Sequence, residues 1–127
     1  MAFKYKVVSR GEPGVTGGGN IKYYPVADNH NRIDLSQLAI EISRRSTMGR
    51  ADVVGVLTAL VDIIPQKLAT NHIVELGELG SMRLSLKGTG EESVAAVSKE
   101  NITGNKIVYS PAKDIKQRLL TLDYTKK

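Results

Sequence analysis

Residues 74–86 read Val-Glu-Leu-Gly-Glu-Leu-Gly-Ser-Met-Arg-Leu-Ser-Leu. In the second half Met82, Leu84 and Leu86 alternate with Ser81, Arg83 and Ser85, the period of a strand with one face buried. Gly77 to Gly80 in front of it is a tight turn, and His72 to Leu76 a preceding strand. Lys87 to Glu92 is polar and turns the chain again. Ser93 to Asn105 is compatible with two states: Val94 and Val97 suit a strand, and Ser98 to Ile102 suits one helical turn. Lys106 to Tyr109 is a short strand. Ser110-Pro111 then marks a helix start, with serine as cap and proline at the first helical position. That helix runs to about Leu122, with Ile115, Leu119 and Leu122 on one face.

Upstream of this region the period changes to that of helices. Asp34 can cap the free amides of a first turn. Leu35, Leu38, Ala39 and Ile42 follow at helical spacing, and Arg44 and Arg45 close the helix where cations suit its dipole. A second helix spans about Arg50 to Thr70, with Val53, Val54, Leu57, Leu60, Val61, Ile64 and Leu68 apolar. Pro65 predicts a kink or a break near Ile63–Ile64, and Asn71 a left-handed cap. Further forward, Phe3, Tyr5 and Val7 alternate with Lys4 and Lys6 in a strand. Residues 10–20 hold five Gly and a Pro and form a flexible loop. Residues 21–26 (IKYYPV) resume β character, and Pro25, which cannot donate to a ladder, makes this an edge strand or a strand end. The element order ββαα followed by strands and a final helix is an α+β pattern.

Composition narrows the function. The chain has 127 residues, one domain's worth, and a net charge of +5. It has no Cys and only His30 and His72, so no thiol nucleophile, no Cys zinc site and no His cluster of ligand spacing is available. Gly14 to Asn20 lacks the terminal Gly-Lys-Ser/Thr of a phosphate loop and precedes no helical pattern. We therefore expect no enzyme, no cofactor and no metal site. Aromatic residues are 5% of the chain, which speaks against a multi-aromatic base-stacking platform. The amino-terminal MAFKYKVVSR lacks a signal-peptide core, and the most apolar stretch is broken by Gly55, Thr58 and Asp62. A cytoplasmic protein is expected. The charge is uneven: residues 93–127 carry seven basic against three acidic side chains, residues 1–33 five against two, and residues 71–92 two against four. Basic ends suit a polyanion such as nucleic acid.

Two helices, then VELGELGSMRLSL, then a strand ending in YSPAKDIKQRL resemble the HU/IHF histone-like DNA-binding family. There a helix hairpin leads to a strand, a turn of the GFGxF type and a second strand; Glu78-Leu79-Gly80-Ser81-Met82 stands at that turn. Tyr109-Ser110-Pro111-Ala112-Lys113-Asp114-Ile115 matches the family's F-x-P/A-G-K-x-L entry to the last helix. The segment before the helices looks like that of an HU-like variant from Bacteroidetes-type bacteria. The resemblance implies an intertwined homodimer. Its helix hairpins form a base, and its β-sheet saddle carries ribbon arms that reach into the minor groove of duplex DNA. A proline at each arm tip usually wedges between base steps. This sequence departs from that pattern. Lys87 to Lys106 contains no Pro and no Arg, and sets Lys87, Lys99 and Lys106 against Glu91, Glu92 and Glu100. Ser85 falls on one of the family's basic positions.

The resemblance carries Lys87 and Lys113 over as phosphate contacts. Charge adds Arg83, Lys99, Lys106 and Lys116, with Lys4, Lys6 and Lys22 as auxiliaries. The expected architecture is an HU/IHF-like domain over residues 33–127, preceded by a β extension with a Gly-rich loop over residues 1–32. The expected function is duplex-DNA binding by a dimer, through phosphates, with little sequence readout and a nucleoid-architectural role. The alternative is an HU-fold protein-interaction module that has lost its DNA arms. That alternative predicts Val94, Val97 and Ile102 packed onto the body or onto the extra amino-terminal strands.

Overall fold

Asp34 caps the first helix as its sequence position suggests. In the computed structural model, which describes residues 2–127, its Oδ1 accepts from the Gln37 amide at 2.9 Å. The Gln37 Oε1 in turn accepts from the Asp34 amide at 3.1 Å, so two orphan donors are satisfied reciprocally. Helix α1 (Leu35–Arg45) leads through Ser46 to α2 (Arg50–Ala69). The latter ends as Asn71 predicts. Asn71 adopts φ 65°, and the His72 amide returns to the Lys67 carbonyl at 3.2 Å, closing the last turn. Pro65 does not split α2, which runs unbroken through it. Proline frees one carbonyl four residues back, on Val61; that residue is exposed, so water can take the lost bond.

Strand β3 (Val74–Glu75), a 3-10 turn at Gly77–Leu79 and β4 (Gly80–Gly88) follow. Strand β5 (Ile102–Pro111) pairs antiparallel with β4, giving the order β3-β4-β5. Helix α3 spans Lys113–Leu119. It begins two residues later than Ser110-Pro111 predicts. Both residues are held in β5, opposite Ser81 and Gly80. As β5 is an edge strand, Pro111 forfeits no inner ladder bond there. The ambiguous stretch resolves into two 3-10 turns, Val94–Ala96 and Lys99–Asn101, ahead of β5.

The remaining residues make a separate sheet. Strands β1 (Ala2–Arg10) and β2 (Lys22–Ala27) form a hairpin whose loop contains Gly14, Gly17, Gly18 and Gly19 at positive φ. Strand β2 lies at the edge, one of the two positions that Pro25 permits. Helix α3 ends at Leu119 rather than about Leu122, and a last strand not expected from the sequence, β6 (Asp123–Lys126), pairs parallel with β1. The chain thus forms two compact units: Met1–Ile33 with Leu119–Lys127, and Asp34–Arg118. Ala39, Val53 and Leu68 are the buried apolar residues among those described. Among the described residues no helix is long and apolar enough to cross a membrane.

Candidate nucleic-acid interface

The β4–β5 register sorts the ribbon's side chains onto two faces. Met82, Leu84 and Leu86 share one with Tyr109 and Ile107. Ser81, Arg83, Ser85 and Lys87 share the other with Ser110, Val108 and Lys106. Lys106 stands directly opposite Ser85, so its diagonal neighbours are Arg83 and Lys87, about 7–8 Å away backbone to backbone. Three of the predicted residues, distant in sequence, therefore converge on one polar face. Ser85, where the family is basic, leaves room for Lys106 across the strand.

Glu75 of β3, in register with Ser81, shares this face at its base, but Arg83, Lys87 and Lys106 are in no ion pair. Among the described residues the ion pairs are Arg118–Glu78 at 2.9 Å and Lys127–Asp28 at 3.5 Å. The first links α3 to the turn before β4, so Glu78, standing where the family has glycine, is engaged by Arg118. Lys113 and Lys116 lie three residues apart on α3, near enough to share a face. They sit beyond the Gly80–Pro111 end of the ribbon. Lys87 is seven residues from Gly80 along β4, about 24 Å at 3.4 Å per residue.

Lys99 is set apart from the others. It belongs to the loop that joins β4 to β5, which Asn101 ties together. The Asn101 Nδ2 donates to Thr89 Oγ1 at 3.1 Å and to Glu91 Oε1 at 2.9 Å. The Thr89 amide donates to the Asn101 carbonyl at 2.9 Å. The Ser98 hydroxyl donates to Glu100 at 2.6 Å, holding that carboxyl below its usual range. The loop is thus an anionic tip with one lysine. Val94, in its middle, is 93% exposed, and Val97 and Ile102 are exposed as well. The packing that the interaction-module alternative predicts for these three is not found within the chain.

The turn preceding β4 depends on glycine. Gly80 has φ 121°, and its carbonyl accepts from the Leu76 amide at 2.8 Å. The Tyr109 hydroxyl donates to the Leu79 carbonyl, fixing the turn on the ribbon's apolar face.

A helix hairpin followed by a three-stranded sheet with a projecting ribbon and a short helix is an α+β arrangement of HU type. The family model for HU domains fused to a winged helix-turn-helix, Ig or glycine-rich motif matches residues 1–126, and the chain belongs to this HU-HIG family. Its fold is similar to that in the crystal structure of a candidate bacterial DNA-binding protein from Bacteroides vulgatus ATCC 8482. The TM-score is 0.69 at 9% identity, over 99% of this chain and 49% of that one, so this chain spans about half of that protein's length. No curated protein matches the sequence.

Proposed function

We propose that the protein is a homodimeric, HU-type DNA-binding protein of the cytoplasm that grips duplex DNA by its phosphates and acts architecturally on the nucleoid. One observation carries this beyond family membership: the strand register that gathers Arg83, Lys87 and Lys106 on one face, none of them held in an ion pair. Such side chains hold phosphates without reading base edges, so affinity comes without sequence information. Lys113 and Lys116 extend the contact at the base of the ribbon. The anionic loop repels phosphate, so DNA follows the ribbon's shaft rather than its tip, and Lys99 contributes least. With no proline in the arm, bending by a proline wedge has no carrier in this chain.

The dimer is supported by unburied apolar surface. The chain exposes 10771 Å², whereas two separately compact units of these sizes would expose roughly 7,900 Å² in all. Helix α2 carries large apolar residues over about half of its circumference, more than one short hairpin covers, and Leu60, Val61 and Ile63 are exposed. A second copy would cover them.

Salt-dependent binding to duplexes of unrelated sequence tests the function. Each phosphate contact contributes about −0.9 to the slope of log K against log salt. Five contacts predict an affinity loss of about 500-fold between about 50 and about 200 mM salt, alike for every sequence. Replacing Arg83, Lys87 and Lys106 by glutamine reduces the slope by up to about 2.7. Absence of binding at about 50 mM salt overturns the proposal.

A further inference from the structure

The other sheet, made of β1, β2 and β6, also has two unlike faces. Phe3, Tyr5 and Val7 lie in register with Tyr124, Ala27 and Pro25 on one side, around an open cleft of about 700 Å³. The opposite side carries Lys4, Lys6 and Arg10 of β1 and Lys22 of β2. Arg10 and Lys22 are directly paired across the strands. Like charges so placed repel and weaken the hairpin.

Nothing within this sheet offsets that repulsion. Two carboxylates share the face. Asp28, whose amide donates to the Lys4 carbonyl and whose charge also acts on Lys6, is ion-paired with Lys127, and Asp123 is in register with Ala2, at the far end of β1 from Arg10. Glu12, in the adjoining loop, lies against Gly19 and within ion-pair distance of neither Arg10 nor Lys22. The Arg10 guanidinium rests over the Tyr24 ring, 5.9 Å from its centroid, which restrains the side chain while leaving its donors free. Lys4 and Lys6, about 7 Å apart, lie further along the same face beyond Val8, with Lys6 about 14 Å from Arg10. A self-repelling, pre-positioned Arg10–Lys22 pair without an acidic partner, continued along β1 by Lys6 and Lys4, is the counterpart of a row of anions.

We propose that this face of the amino-terminal sheet is a second binding surface for the phosphate backbone of duplex DNA, built from Lys4, Lys6, Arg10 and Lys22. It rests on the DNA-binding reading above, and it assigns the amino-terminal unit a direct part in binding. Occupation of the face by phosphates also relieves the Arg10–Lys22 repulsion, so DNA stabilises the hairpin that binds it.

The test uses the full chain with Lys4, Lys6, Arg10 and Lys22 all changed to glutamine. Fluorescence anisotropy follows its binding to a labelled duplex at several salt concentrations. The expected result is a slope shallower by up to about 3.6, with oligomeric mass unchanged and free-state melting temperature equal or higher. An unaltered slope, with the wild type still binding DNA, overturns this inference and leaves the ribbon site standing. A wild type that binds no DNA overturns both. Loss of binding to phosphatidylserine vesicles with an unaltered duplex slope overturns the inference in favour of a membrane surface.

Discussion

Gly80 faces Pro111 across the β4–β5 ladder, and a Cβ at this position would run into the Ser110 carbonyl oxygen. Its φ of 121° with ψ of −157° lies where only glycine is comfortable. Both faults are backbone faults, which no rotamer change relieves. Gly80→Ala therefore lowers stability by at least about 1–3 kcal/mol, the order of cost of such a conformation, read as a reduced urea midpoint. Gly77→Ala, with open space around the added methyl, costs less. At Asp28 the effect is electrostatic. The Asn29 amide, with help from Lys127, holds its carboxyl below the ordinary value of 3.8. A lowered folded-state value means stability that is full above 3.8 and lost as pH falls through the folded value. Acid melting of the wild type should thus show a decline below pH 3.8 that Asp28→Asn reduces.

Elements were legible where their signals are local. The α1 start is written in Asp34 and Gln37 alone, and Asp34→Ala should cost about 1 kcal/mol, seen in the thermal midpoint. The turn at Gly77–Gly80 and the edge position of Pro25 also follow from single residues. Non-local pairing overrode local signals elsewhere. Ser110-Pro111 is a sound helix start, yet the ladder to Ser81 and Gly80 keeps both residues extended. Strand β6 has four residues, and its partner β1 lies at the other end of the chain, so no window of sequence reveals it. The candidate site divides likewise. The family motifs mark Lys87 and Lys113, whereas the grouping of Lys106 with Arg83, and of Arg10 with Lys22, exists only in the strand register. Composition does not report clustering. Aromatics are scarce overall, but Phe3, Tyr5, Tyr23 and Tyr124 gather around one cleft.

At the scale of the whole molecule, charge and apolar surface point to different partners. The basic rows on the two sheets are suited to a polyanion, while α2 is suited to another copy of itself. If the second copy completes the core, folding and association are one process. Stability then depends on protein concentration, as it does for dimers without a stable monomer. Melting temperature should rise as concentration increases, and sedimentation should give about twice the 13.8 kDa chain mass. Leu60→Lys places a charge on the apolar helix surface left open in the single chain. Within a monomer that site is already solvated, and the change would be nearly neutral, within about 0.5 kcal/mol. Within a dimer it buries an unpaired ammonium, at a cost of several kcal/mol. A variant that stays monomeric with wild-type stability would show that each chain folds alone. Loss of the dimer together with the melting transition is the outcome that the exposed apolar surface predicts.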